Sequence, residues 1–348
     1  MFKFSILIGL ILMASGCAKA FDSNEQTQKF TNSEINYKTS ASDFYQMIKA
    51  FWNDDRTQAT PNFDIPVLPL TADQLNQDQS DTVFRLGHST ILVRIDQDLI
   101  LFDPVFSDRA SPVQWMGPKR FHQPPISIEQ LPKIKAVIIS HDHYDHLDKQ
   151  AISALNDKVE YFITPLKVGQ HLRDWGVPEN KITELDWWQS TQIETLTITA
   201  TPSQHFSGRG LFDKDETLWA SWAIKGWESN IYFSGDSGYF NGFKEIGDRL
   251  GPFDLTFIET GAYNKLWPEI HMFPEQSLQA HIDLKGKAMM PIHNGTFDLS
   301  LHNWFEPLQR ITDLAADQGV NLLTPMFGEA VKVQTPEKTT QWWLNPQD

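Results

Sequence analysis

The chain has 348 residues, 41% of them hydrophobic, enough to bury one large core and too apolar for a disordered protein. Its 44 acidic and 29 basic residues leave a net charge of −15, which opposes generic binding to polyanions and makes nucleic acid a poor partner. A single cysteine excludes internal disulfides and any thiolate ligand elsewhere in the chain.

Residues 1–16 read as a lipoprotein signal peptide: Lys3, the apolar run Phe4 to Met13, and the small residues Ala14-Ser15-Gly16 before Cys17. An apolar run of about ten residues falls short of the roughly twenty that span a bilayer, so this segment is expected to be removed. Small residues before a cysteine resemble the bacterial lipobox, which makes Cys17 the expected lipidation site and the link to a membrane. The protein is then expected in the bacterial cell envelope. In a host with two membranes, Ala18 in place of an aspartate points to the periplasmic side of the outer membrane.

Residues 17–80 read as a tether and an N-terminal helical segment. Ala18 to about Ser40 is polar and is expected to lack fixed structure. Ser42 to Arg56 carries Phe44, Ile48, Phe51 and Trp52 at helical spacing, with Ser42 as the expected N-cap. Residues 81–348 form the main domain. Thr82 to Leu86, Thr90 to Ile95 and Leu99 to Phe102 predict a strand meander, and the apolar Ile134 to Ile139 predicts a buried strand. Helices are expected over Lys149 to Leu155, Leu166 to Trp175, Pro274 to Gly286 and Pro307 to Gln318. Further strands are expected at Ile193 to Ala200, Trp219 to Ile224, Ile231 to Phe233, Leu255 to Ile258 and Met289 to Ile292. Strands first, then strands mixed with helices, imply an α+β fold of two sheets with outer helices.

The chemistry centres on His141-Asp142-His143-Tyr144-Asp145-His146, directly after the strand at Ile134 to Ile139. On that loop His141 and His143 can face one side while Asp145 and His146 face another, so one segment can serve two adjacent cations. Imidazole and carboxylate ligands without thiolate suit zinc first, with manganese, iron or nickel as alternatives. His205, Asp236 and His293 each follow a strand-like run, and strand ends on one rim can converge although far apart in sequence. A cation lowers the pKa of bound water to about 7, so hydroxide, not a side chain, is the expected nucleophile. No GxSxG motif competes for that role.

The ensemble His141, His143, Asp145, His146, His205, Asp236 and His293 resembles the HxHxDH motif of the metallo-β-lactamase superfamily. Leu86-Gly87-His88-Ser89-Thr90, Asp103-Pro104-Val105-Phe106-Ser107-Asp108-Arg109, Gly117-Pro118-Lys119-Arg120-Phe121-His122, His205-Phe206-Ser207-Gly208-Arg209 and His293-Asn294-Gly295-Thr296-Phe297 resemble one branch of it. That branch is the N-acylphosphatidylethanolamine-hydrolysing phospholipase D family. The resemblance implies an αββα sandwich and a dinuclear zinc hydrolase domain over 81–348. It implies His141, His143 and His205 on one metal, Asp145, His146 and His293 on the second, and Asp236 as the bridge. Asp145 is a side chain it implies for catalysis, and His271 falls where relatives carry a histidine near the site, so it is expected to donate a proton or bind phosphate, with a surface loop histidine as the alternative. Asn294 and Phe206 depart from the tryptophans expected at those positions.

Around these ligands, Asp103 is expected to orient a histidine or form a turn with Pro104, and His88 to line the pocket or sit beneath it. Arg120 and Arg209 are candidate phosphate partners or surface salt-bridge residues. Among the twelve tryptophans, Trp115, Trp219, Trp227, Trp267 and Trp304 are candidates for an apolar mouth or for core. The functional reading is phospholipase D-type hydrolysis of a phospholipid by a membrane-anchored enzyme. The alternatives are a lactonase or other carbonyl-ester hydrolase of the same fold, and a non-catalytic envelope lipoprotein.

Overall fold

The computed structural model describes residues 29–344 except 39 and 78, so Cys17 and the segment 1–16 expected to be a signal peptide lie outside the described residues. Two sheets of seven strands pack face to face. The first has the order β14-β1-β2-β3-β4-β5-β6, with β1 Thr82–Arg85, β2 Ile91–Ile95, β3 Asp98–Phe102, β4 Ile134–Ile138, β5 Val159–Pro165, β6 Ile182–Leu185 and β14 Ala330–Lys332. The second has the order β13-β12-β11-β10-β9-β8-β7, with β7 Ser190–Ile193, β8 Leu196–Thr201, β9 Ser221–Lys225, β10 Asn230–Phe233, β11 Phe253–Glu259, β12 Gly286–Ile292 and β13 Asn321–Leu322.

Their facing sides supply one core, in which Ile100, Phe102 and Ile138 of the first sheet meet Trp222, Phe233 and Phe257 of the second. The Phe102 and Phe233 rings stack at 4.6 Å, and Trp222 Nε1 donates to Ile139 O across the layer at 3.0 Å. Each fully buried side chain of this class contributes on the order of 1.5–3 kcal/mol, far above an exposed ion pair, so this layer holds the sheets together. Helices α3 (Lys149–Leu155) and α4 (Gly169–Asp174) cover the outer face of the first sheet; α5 (Gly242–Leu250), α6 (Pro274–Asp283) and α7 (Glu306–Gln318) cover the second. The αββα sandwich expected from the sequence is the observed fold.

Topology gathers the functional loops on one rim. β3 and β4 are parallel with Phe102 opposite Ile138, so Asp103 and Ser140-His141 leave the sheet side by side. β10, β11 and β12 are parallel, with Phe233 beside Phe257 and Phe257 beside Met290, so Asp236, Glu259 and His293 emerge together. The two rims meet at Gly235, where φ is +55° and a Cβ would stand 2.5 Å from Ser140 Cβ. Only glycine permits that approach.

Several boundaries differ from the sequence reading. Helix α1 (Ala41–Trp52) is capped by Ser40, not Ser42: Asp43 N donates to Ser40 Oγ at 3.1 Å, and Ser40 N donates back to Asp43 Oδ2 at 2.9 Å. It stops before Arg56, whose guanidinium pairs with Asp54 and Asp298, both at 2.9 Å. Helix α4 starts after Leu166 because β5 runs through Pro165 and Lys167 turns the chain at φ +67°. The polar stretch expected to be structureless is ordered from Lys29 to Lys38 and hydrogen-bonds to the main domain through Phe30, Asn32 and Ile35. A second short helix, α2 (Ala72–Gln77), follows, and Leu68 N donates to Phe327 O, so this segment packs on the sandwich.

Candidate metal centre

The rim brings all seven expected ligands into two facing groups. In the first, His143 Nδ1 lies 2.9 Å from His141 Nε2 and 3.3 Å from His205 Nε2. In the second, Asp145 Oδ2 lies 3.2 Å from His293 Nε2, 3.7 Å from His146 Nε2 and 3.5 Å from His88 Nε2. Asp236 stands between them: Oδ1 is 3.1 Å from His146 Nε2, while Oδ2 is 3.0 Å from His293 Nε2 and 3.7 Å from His205 Nε2. Ligand atoms about 2.1 Å from a tetrahedral ion lie about 3.4 Å apart, and these separations bracket that value.

The surrounding hydrogen bonds select imidazole tautomers that suit a cation. Ser140 Oγ donates its one proton to Asp103 Oδ2 at 2.6 Å, so it accepts from His141 Nδ1 at 2.9 Å and leaves the His141 Nε2 lone pair inward. His146 Nδ1 donates to Asp103 Oδ2 at 2.7 Å, and His205 Nδ1 donates to Ile270 O at 3.0 Å, with the same result. Buried His146 Nε2 and Asp236 Oδ1 have no hydrogen-bond partner, the condition expected of atoms aimed at an ion.

Charge points the same way. Burial pushes His141 and His205 well below the ordinary imidazole range, and neighbouring histidines push further, so both remain neutral ligands. Burial opposes charge on Asp145 and Asp236 as well, but His146 and His293 opposite hold both carboxyls well below their usual range. Against burial, Asp236 and Asp145 in turn raise His293 to about 10 and His146 well above its ordinary value. Buried Asp236 and half-buried Asp145 therefore demand positive charge at this point, and a metal and a proton compete for the same imidazole lone pairs. The donor set fits a divalent metal.

The domain model described as "Beta-lactamase superfamily domain" matches residues 99–294. N-acyl-phosphatidylethanolamine-hydrolyzing phospholipase D 1 of Caenorhabditis elegans is 36% identical over 264 residues, covering 72% of this chain and 74% of that protein. The chain belongs to the metallo-β-lactamase superfamily, in its N-acyl-phosphatidylethanolamine phospholipase D-like branch. An uncharacterized protein of Mycobacterium tuberculosis is 48% identical over 261 residues, covering 74% of this chain and 70% of its own. The metallo-hydrolase Igni18 of Ignicoccus hospitalis shares the fold at a TM-score of 0.55 and 20% identity, over 72% of this chain and 97% of that one. As a member of the superfamily with this centre, the chain is a metal-dependent hydrolase.

Against this superfamily background the remaining sequence candidates separate. Asp103 is fully buried and holds His146 and Ser140, so it orients ligands and is more than a turn residue. His88 joins the second group; its O accepts His293 N at 3.0 Å, and burial first and His293 second lower its pKa to about 3. His271 reaches the centre, its ring 5.2 Å from His205 and 5.3 Å from His293. The arginines do not serve as expected. Arg120 donates to Ser107 O at 3.0 Å and Val105 O at 2.9 Å, while Arg209 donates to Leu147 O at 2.8 Å and to Asp142 O and stacks on Tyr144. Both brace the loops behind the centre, Arg120 buried and Arg209 half-buried, with desolvation lowering both pKa values.

Asn294 braces the turn that carries His293. It accepts from Arg85 at 2.8 Å and donates to Ile292 O at 2.8 Å, locking the turn after His293. Phe206 does take a wall position, its ring 4.6 Å from His143. Of the tryptophans, Trp219, Trp267 and Trp304 are core; Trp115 and Trp227 are 74% and 77% exposed, and Trp227 N bonds Asp96 at the β2–β3 turn, the opposite rim from the ligands.

Four contributors escaped the sequence reading. Ser140 relays Asp103 to His141. Asp142 ties the ligand loop to the His205 loop, accepting from Gly208 N and Thr217 Oγ1, both at 2.8 Å. Glu259, buried at the end of β11, accepts from His271 Nδ1 at 2.6 Å and from Ser237 N at 3.1 Å. Burial pushes its carboxyl up against the pull of His271. Asn32 is the fourth. The density of histidine and aspartate revealed the ligands, but a serine, a glutamate and an asparagine in ordinary surroundings carry no such signal.

Proposed function

We propose that the protein is a dinuclear zinc phosphodiesterase that releases the headgroup of N-acylphosphatidylethanolamine or a similar phospholipid. The observation that carries the reading is Asp236, whose Oδ2 lies 3.0 Å from His293 of one donor group and 3.7 Å from His205 of the other, while Oδ1 faces His146. Zinc, when bound, lowers the pKa of water, polarises a phosphoryl oxygen and, as a pair, stabilises both entering and leaving oxygens. His141, His143 and His205 would hold one ion, and Asp145, His146 and His293 the other. His271, oriented by Glu259 through Nδ1, presents its other ring nitrogen to the leaving oxygen and donates the proton there. Asp145 contributes by fixing charge beside the reacting phosphate.

The substrate class rests on the named activity of the Caenorhabditis elegans relative. Lipidation of Cys17 would confine the enzyme and its lipid to one surface of the cell envelope. Purified, zinc-loaded protein offered N-acylphosphatidylethanolamine in mixed micelles beside simple lactones is expected to release phosphatidic acid. Two zinc ions per chain are expected by elemental analysis. Lactone opening without headgroup release from any phospholipid would overturn the substrate class, and full activity at one ion would overturn the dinuclear mechanism. Cys17→Ser is expected to free the protein from membranes; retention after a salt wash with unchanged processing would defeat lipidation.

A further inference from the structure

We infer that Asn32, on the N-terminal strap, is a positioning residue of the metal centre, clamping the backbone of His205 through both ends of its carboxamide. Asn32 Nδ2 donates to His205 O at 2.8 Å, and His205 N donates to Asn32 Oδ1 at 3.0 Å. This pair imitates one rung of a β-ladder. His205 needs it: β8 ends at Thr201, so no strand partner reaches this fully buried residue.

The orientation of the amide follows from its neighbours. Trp219 Nε1 donates to Asn32 Oδ1 at 2.9 Å, so two donors meet the oxygen and one acceptor meets the nitrogen. Asn32 is thus held in one pose by a buried indole, and it holds His205 in turn. On the other side of His205, Nδ1 is bonded to Ile270 O. With the backbone clamped and Nδ1 engaged, the direction of Nε2 is fixed.

The strap that carries Asn32 is anchored at several points. Phe30 N donates to Asp215 O at 2.8 Å, Gln204 Nε2 to Ile35 O at 2.6 Å, and Asn241 N to Glu34 Oε1 at 2.9 Å. Tyr37 packs on Phe206 at 5.6 Å, and Phe206 packs on His143. The strap therefore contacts the first donor group at His205 directly and at His143 through one aromatic ring. It touches no residue of the second group by any of these contacts, which gives the inference its specificity: one metal is affected before the other.

The inference rests on metal binding at these ligands, and zinc titration of the unaltered full-length protein checks that separately. Zinc affinity and the visible spectrum of the cobalt(II)-substituted protein are then compared among variants. Asn32→Ala is expected to weaken one of the two zinc sites by about ten- to a hundred-fold and to change the cobalt spectrum. Asn32→Asp keeps the acceptor for His205 N and loses the donor to His205 O, so it is expected to fall between. Glu34→Ala loosens the strap away from His205 and is expected to keep the wild-type affinity and spectrum. Wild-type affinity and spectrum in Asn32→Ala overturn the inference whatever its melting temperature. Should Asn32→Ala fail to fold, wild-type affinity in Asn32→Asp overturns it. A loss in Glu34→Ala equal to that in Asn32→Ala does so too, since it would mark general loosening.

Discussion

The two donor groups sit on one rim yet are built differently. In the first, His141 and His205 are oriented by neutral partners, a serine hydroxyl and a backbone carbonyl. In the second, His146 is oriented by the buried carboxylate of Asp103, and Asp145 faces it as a further negative group. A carboxylate behind an imidazole raises its basicity more than a carbonyl does. The second group is therefore the more charge-dense and the more dependent on its metal for neutrality, while the first depends on geometry set by loops from distant parts of the chain.

The largest effect is expected where the groups meet. Asp236→Ala removes the one carboxylate shared by both, and elemental analysis is expected to show loss of at least one ion together with loss of activity. Two retained ions with wild-type turnover would erase the distinction between a bridged and an unbridged pair.

Asp103→Ala tests the asymmetry itself. It leaves His146 Nδ1 and Ser140 without their buried acceptor, and zinc affinity is expected to fall about ten- to a hundred-fold. Breaking a buried, hydrogen-bonded charge pair costs on the order of 3–5 kcal/mol, so thermal stability is expected to fall as well. His146 touches Asp103 directly and His141 only through Ser140, so the second site is expected to weaken more, and equal weakening of both in a zinc titration would erase the asymmetry.

A third experiment separates the centre from the body of the fold. His281, remote from the ligands and bonded to Thr256 Oγ1 at 2.8 Å, has its pKa lowered to about 4 by burial. The unfolded chain takes up this proton first as pH falls, so the stabilisation is complete above pH 6.5 and is lost progressively towards pH 4. Up to about 3 kcal/mol is involved over that window. Comparing denaturant midpoints of metal-replete wild type and His281→Gln, the variant is expected to show the shallower decline; parallel curves would assign acid sensitivity to the metal centre alone.

The smallest effect is expected at Ser207, two residues from a ligand. Its Oγ donates to Thr217 O at 2.6 Å, so Ser207→Ala is expected to cost about 1 kcal/mol of stability and to leave turnover largely intact. A collapse of kcat would place a serine among the reacting groups.

The difference between the groups also explains what could be read from the sequence. The apolar runs that became β2, β3, β4 and β11 announce themselves through β-branched and aromatic residues, and the ligands follow the ends of β4, β8, β10 and β12. β5, whose sequence Val159–Pro165 includes an exposed glutamate and ends in proline, gave a weaker signal, as did the two- and three-residue strands β13 and β14. Ligand identity is local, and His141 to His146 could be recognised at once. Ligand orientation is not local: Asn32 lies 173 residues from His205, and Asp103 lies 43 from His146. Arg120 and Arg209 show the converse error, because a guanidinium near a motif reads as an anion site until the carbonyls it braces are seen.

Arg85 and Asn294 carry a consequence for how this centre can change over time. The Arg85 guanidinium is fully buried, lies 4.6 Å over the Phe327 ring and reaches the Asn294 side chain and carbonyl, with no carboxylate among its hydrogen-bond partners. Substituting Asn294 alone takes one side-chain acceptor from a buried cation that keeps only backbone carbonyls and the Phe327 ring, and substituting Arg85 alone removes the donor facing the Asn294 side chain, one residue from His293. Each single step crosses a valley that the double step avoids. These two positions are therefore expected to drift as a pair, and a lineage that has acquired them is held to its present turn after His293.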